Sequence, residues 1–319
     1  MNAIEQDART FDEPAVVVGV DGTRTALDAV RWAAAEARVR GLPLRIVHAA
    51  PYVRGQDGPA ARRARDILAR AFTVARRTEP GLSVATHCSG QPPADSLLAA
   101  SENARLLVVG MGGGERPQEV LIGSVALDVC GCAPCPVTVV RGHLDRTGWR
   151  PVLVGVDRPV DDAAVLDVAF ADARLHGDRL VVLHARHGTG TAYERAAGHD
   201  QAAHMATWDR LADELAPWAM RFPDVAVELE IRHGQPTPTL LAAAVQARMV
   251  VLGSRGRSAP ARALFGSTSR QVLRRSTVPV TIVSSRAARP EDAEPGTTPD
   301  RESVATGADL DPHDRSQLW

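Results

Sequence analysis

One glycine pattern occurs twice in this chain, each time between a hydrophobic strand and a helix. The first copy runs Gly110-Met111-Gly112-Gly113 and, after nine further residues, reaches Gly123-Ser124. The second runs Gly253-Ser254-Arg255-Gly256 and reaches Gly266-Ser267 after the same nine. Glycine has no Cβ and permits a tight turn, while a helix start leaves N–H groups unsatisfied; together they make a cradle for phosphate. A duplicated cradle implies a duplicated nucleotide-binding domain.

Further landmarks recur in the same order. Val16-Val17-Val18-Gly19-Val20-Asp21 matches Val152-Leu153-Val154-Gly155-Val156-Asp157, and Val47-His48-Ala49 matches Leu183-His184-Ala185. Gly90-Gln91-Pro92 returns as Gly234-Gln235-Pro236, and Pro136-Val137-Thr138-Val139-Val140 as Pro279-Val280-Thr281-Ile282-Val283. Each unit is about 140 residues, a common domain size and too long a period for a solenoid. The expected organisation is an N-terminal tail at 1–14, one domain at 15–141 and a linker at 142–151. A second domain at 152–285 and a disordered acidic tail at 286–319 follow. That tail sets eight acids against four arginines and has no apolar periodicity.

Short valine-rich runs separated by helical stretches indicate an α/β fold with a parallel sheet covered on both faces. In the first unit strands are expected at 16–20, 44–48, 82–88, 106–110 and 136–140, with helices at 25–40, 59–78, 92–103 and 124–131. The second unit repeats this, with strands near 152–156, 179–184, 225–231, 249–253 and 279–283 and a long helix at 199–219. Ligands of such sheets bind beyond the carboxyl ends of the strands, where the strand order reverses. With an order of 3-2-1-4-5, Asp21 would face the Gly110 loop, and Asp157 the Gly253 loop. Either aspartate could instead cap the helix that follows it.

Composition narrows the function. A formal charge of -1 argues against nucleic-acid binding through a broad basic surface. Every basic side chain among the 37 counted as lysine or arginine is arginine. Without lysine there is neither a Walker-type phosphate loop nor a Schiff-base enzyme. No apolar run approaches the roughly 18 residues that cross a bilayer. The polar stretch Met1 to Glu13 lacks an apolar signal core, so a cytoplasmic location is expected.

These motifs together resemble those of tandem universal stress proteins of the ATP-binding subgroup, over residues 15–285. Val17-Val18-Gly19-Val20-Asp21-Gly22-Thr23 and Cys135-Pro136-Val137-Thr138-Val139-Val140-Arg141 add to the likeness. The resemblance implies two five-stranded parallel-sheet domains of order 3-2-1-4-5, Rossmann-like and similar to the adenine nucleotide alpha hydrolases. It implies ATP, with Mg²⁺, between strands one and four of each, little turnover, and a regulatory role in stress or dormancy. It also implies a homodimer beyond an internal pseudo-twofold pairing, and an unidentified regulatory protein partner. Carried onto this chain, Gly19, Asp21, Gly155 and Asp157 would meet the base and ribose. Gly110, Met111, Gly112, Gly113 and Gly114, and Gly253, Ser254, Arg255, Gly256 and Arg257, would form the phosphate loops. Gly123-Ser124-Val125 and Gly266-Ser267-Thr268 would present helix-start amides and hydroxyls to phosphate. Arg255 and Arg257 fit phosphate partners or solvated loop arginines equally.

The units depart from the family pattern in opposite halves. The first loop carries Glu115, which repels a triphosphate. The second has Arg158-Pro159 where the first has Gly22-Thr23, and gains Asp161 and Asp162. Arg105 and Arg248 stand where the family has aspartate. Cys130, Cys132 and Cys135 supply three thiols, with His143 a conceivable fourth metal ligand; structural, redox and metal readings stay open, the structural one favoured. His48 and His184 read as packing residues with one hydrogen bond, or as neighbours of the adenine. Two functional classes compete: a nucleotide-dependent regulatory module and a slow Mg²⁺-dependent ATPase or phosphotransferase. No general base is identifiable for the second, so hydrolysis is expected to be weak at most.

Overall fold

The computed structural model describes residues 13–53, 58–111, 123–141, 150–186, 199–254 and 266–287. The first repeat contains β1 (Ala15–Gly19), α1 (Arg24–Arg40), β2 (Leu44–Ala49), α2 (Pro59–Thr78) and β3 (Val84–Ser89). It continues with α3 (Pro93–Ser101), β4 (Ala104–Gly110), α4 (Ser124–Cys132) and β5 (Val137–Val140). The second contains β6 (Val152–Gly155), α5 (Ala163–His176), β7 (Leu180–Arg186), α6 (His199–Arg221) and β8 (Val227–His233). It ends with α7 (Pro236–Ala244), β9 (Met249–Gly253), α8 (Ser267–Arg275) and β10 (Val280–Val283).

Each repeat has the expected 3-2-1-4-5 order, with parallel pairing throughout, and the two sheets fuse into one of ten strands: β3-β2-β1-β4-β5-β10-β9-β6-β7-β8. The junction is antiparallel, with Thr138 opposite Thr281 at its centre. Their hydroxyls meet at 2.8 Å with both residues fully buried. An edge strand of apolar residues is an open template for association. Here each repeat closes the other's edge, around a pseudo-twofold axis.

Strand alternation places Val16 and Val18 in one core and Val17 in the other, on opposite sheet faces. The first core collects α1, α2, α5 and α6 residues such as Trp32, Leu68, Phe170 and Leu215. The second collects Leu97, Val129, Leu240 and Val272 from α3, α4, α7 and α8. Gly41 and Gly177 end α1 and α5 in the left-handed region, at φ 65° and 63°, where their lack of a Cβ is needed.

β3 and β8 begin two residues later than the expected 82 and 225. Leu82 and Val225 are buried, but in turns, donating N–H bonds to Glu79 and Phe222 carbonyls. An apolar residue that plugs the core from a turn looks in sequence like the first residue of a strand. α5 starts at Ala163 because 158–162 is held as a turn, with Asp161 and Asp162 N–H groups both donating to the Arg158 carbonyl. The linker residues 142–149 and the tail beyond 287 lie outside the described residues. Among the described residues no helix is long and apolar enough to cross a membrane.

Candidate functional site

In the first repeat β1 and β4 are hydrogen-bonded neighbours with Gly19 beside Val109, so both strand ends open onto one crevice. It is a cleft of about 320 Å³ that brings together Gly19, Asp21, Gly110, Gly123, Ser124 and Val125. That volume lies at the lower end of the roughly 300–1,000 Å³ typical of small-molecule pockets. Sequence reasoning marked Val47, Ala49 and Thr23 only as parts of copied or family-like runs, and did not select Pro93, Leu97 or Thr25. These residues carry no chemical signature, and only the approach of β2, α3 and α1 to the strand ends recruits them.

Asp21 does not cap α1 directly. Its Oδ1 accepts from the Thr23 N–H at 2.9 Å and from the Thr23 hydroxyl at 2.6 Å. Thr23 is the N-cap, its oxygen accepting from Ala26 N–H at 3.2 Å. The single Thr23 proton is committed to Asp21, so Thr25 is the donor in the 3.1 Å contact between the two threonine hydroxyls. The aspartate thus fixes the cap and remains exposed at the mouth of the cleft. Gly123 precedes α4 without a side-chain cap bond, which leaves first-turn amides beside the exposed Ser124 for an anion.

The glycines at the strand ends have packing reasons of their own. A Cβ on Gly110 would lie 2.7 Å from the Thr25 carbonyl oxygen, in the first turn of α1. On Gly19 it would meet Leu97 at 2.9 Å, and on Gly155 it would meet Leu252 at 2.7 Å. Met111 is buried, and its sulfur takes the Arg141 guanidinium at 2.8 Å. Gly112, Gly113, Gly114, Arg255, Gly256 and Arg257 lie outside the described residues.

The second repeat places Gly155, Asp157, Gly253 and the start of α8 in the corresponding positions. Gly266 N–H donates to the Ser254 carbonyl at 2.7 Å, which ties the exit of β9 to the entry of α8. Ser254 is buried, Ser267 is exposed, and Thr268 follows in the first turn of the helix. Ser269, which the sequence did not single out, donates to the Gly253 carbonyl at 2.7 Å. Asp162 holds the N-cap position of α5 but makes no cap bond. Its Oδ2 instead accepts from Asp157 N–H at 3.0 Å. Burial pushes its acid upward and the nearby Asp157 and Asp161 add to this, against bonds from the Asp157 and Arg158 amides.

The copied histidines are buried struts. His48 Nδ1 lies 2.8 Å from the Val20 carbonyl, and His184 Nδ1 lies 3.2 Å from the Val156 carbonyl. A carbonyl only accepts, so Nδ1 carries the proton in both rings. Burial lowers the basicity of His184. Arg248 pairs with Asp178, an acid brought by the α5–β7 turn. Cys130 and Cys135 are buried, and no group of three or more metal-ligating side chains converges among the described residues.

The model of the universal stress protein family matches residues 14–141 and again 148–284. A universal stress protein of Mycolicibacterium smegmatis is 32% identical over 86% of this chain and 98% of its own length. One from Mycobacterium tuberculosis is 31% identical over 84% of this chain and 95% of its own length. The crystal structure of a universal stress protein from Archaeoglobus fulgidus covers 89% of this chain and 98% of that one, with a TM-score of 0.59 at 20% identity.

Proposed function

The chain belongs to the universal stress protein family, and on that premise we propose that it is an ATP-binding regulatory module. Nucleotide binding, accompanied by Mg²⁺, would act as a conformational signal to a protein partner. The observation that carries this reading is the first cleft. Six residues chosen from the glycine spacing and the family resemblance line one crevice of ligand size between β1 and β4.

The residues suit the parts of a nucleotide. Val47, Ala49 and Leu97 offer an apolar wall for a base. Asp21, exposed at the end of β1, offers carboxylate oxygen to ribose hydroxyls. The uncapped start of α4 and Ser124 offer donors to phosphate oxygens. Mg²⁺ would screen the charge that the phosphates bring against Asp21. Among the described residues none lining the cleft is a histidine placed to activate water, which favours a ligand that is held over one that is turned over.

The test combines titration with phosphate release. Calorimetry with ATP and Mg²⁺ should show binding that is lost in a Gly113→Val, Gly256→Val double variant of unchanged thermal stability. Unaltered binding in that variant would remove the assignment. Phosphate release at roughly 1–10³ per second, abolished by the same substitutions, would make the protein an enzyme instead.

A further inference from the structure

The two repeats differ in what occupies the backbone donors at the end of their first strands. In the first repeat the N–H of Asp21, in the segment that walls the cleft, has no partner among the described residues. In the second repeat the equivalent N–H, that of Asp157, is taken at 3.0 Å by the carboxylate of Asp162. The N–H of Arg158 lies on the same side and helps to hold that carboxylate's charge. Aspartate is among the best N-cap residues because it satisfies first-turn amides. Asp162 stands at that position and leaves them unsatisfied, turning back over the strand end. The turn aims it there: the Asp162 N–H is shared between the Arg158 and Pro159 carbonyls, at 3.1 Å each, and Pro159 is buried.

We propose that Asp162 is a built-in anion occupying the donor at the end of β6, so that this strand end accepts an anionic ligand only when the carboxylate is displaced or removed. It is a specificity-determining residue that makes two copied strand ends unequal. Any incoming anion would compete for an amide already bonded to a carboxylate, and would meet Asp157 and Asp161 in the same turn. Like charges at such distances repel strongly once water is displaced. Burial holds the acid above the ordinary carboxylate range, so mild acidity would weaken the block by discharging it. The inference rests on reading the clefts as nucleotide sites, and its test separates the two.

Amide exchange and chemical shifts of Asp157 and Arg158 are followed by NMR in the full chain and in Asp162→Ala. Without ligand, exchange at these two amides should speed up at least tenfold in the variant while the middle of α5 stays unchanged. Inorganic pyrophosphate should then shift both amides in the variant and leave them unmoved in the parent. Calorimetry with ATP and Mg²⁺ should rise from one site to two. Unchanged exchange, or pyrophosphate shifts of equal size in both proteins, would overturn the proposal. Two equal ATP sites in the parent would do so as well. If neither protein binds ATP, the nucleotide reading fails, while pyrophosphate shifts confined to the variant still establish the block. Asp162→Asn keeps an acceptor oxygen and removes the charge. It should give the same pattern at smaller amplitude if the alanine variant does not fold.

Discussion

Buried ionisable side chains govern the chemistry at the residue scale. Burial pushes the Cys135 thiol up to about 12 and raises that of Cys130 as well. Only the thiolate is a good nucleophile, so both should be inert in the folded chain at pH 8. Cys132 is half-buried and should be alkylated first, with Cys130 and Cys135 modified only after unfolding. Peptide mapping by mass spectrometry after timed iodoacetamide exposure checks this; equal rates for Cys135 and Cys132 would contradict it. Asp162 makes a second case. Its acid is raised on folding, chiefly by burial, so the native state binds the proton more readily than the unfolded chain does. Its contribution to stability is therefore fully present below the ordinary carboxylate value of about 3.9 and fades as pH rises through the higher folded value. Asp162→Asn should accordingly melt higher than the parent at pH 7, with the difference closing towards pH 3.5. A constant difference across that range would show that the charge is not the cause.

At the scale of elements, the glycines that the sequence marks for phosphate also let helices sit on strand ends. Gly110→Ala would press a Cβ against the Thr25 backbone carbonyl at 2.7 Å. The first turn of α1 cannot yield without loosening its Thr23 cap, so a loss of about 1–3 kcal/mol is expected. Gly19→Ala meets the Leu97 side chain at 2.9 Å, which can rotate, and should cost less. Gly41→Ala meets nothing within 4 Å but must hold φ at 65°, at a cost of roughly 1 kcal/mol. Gly81 has neither constraint and serves as the neutral comparison. Urea unfolding of the four variants should rank Gly110 as the most sensitive, and a Gly110→Ala loss no larger than that of Gly81→Ala would refute the packing account. Element identity was legible because valine runs and glycine punctuation are local. The starts of β3 and β8 were not, since Leu82 and Val225 are buried by distant packing rather than by strand pairing.

The whole molecule is joined by a reciprocal charge cluster that no local pattern announces. Glu36 and Arg40 on α1 face Asp172 and His176 on α5, the helices of equal rank in the two repeats. Arg40 Nη2 lies 2.5 Å from Asp172 Oδ1 and 3.5 Å from Glu36, and His176 Nε2 lies 3.1 Å from Glu36 Oε2. An isologous contact has this signature, each position on one helix answering its counterpart on the other. Burial opposes the charge on Arg40, but Asp172 and Glu36 hold it firmly protonated. Arg40→Met would strand the Asp172 carboxylate, only 2% exposed, and leave Glu36, 1% exposed, without its arginine. A loss of about 3–5 kcal/mol is expected, recovered in large part by adding Asp172→Leu. A double-mutant cycle by urea unfolding measures it; additive losses, or a single-variant loss below about 0.5 kcal/mol, would show that the cluster is incidental.

From the sequence alone come the duplication, the α/β alternation, the strand order that the family resemblance carries, and six of the residues that line the first cleft. Those features are local or copied: a glycine pattern, a valine run, a repeated spacing. Only the tertiary structure decided which apolar residues wall that cleft, how Thr138 meets Thr281, and how α1 grips α5. It alone placed the Asp162 carboxylate over the end of β6 rather than on the first turn of α5. Each depends on segments far apart in the chain, or on a turn whose bonds compete with the helix it precedes, and the sequence records the side chains but not which competitor wins.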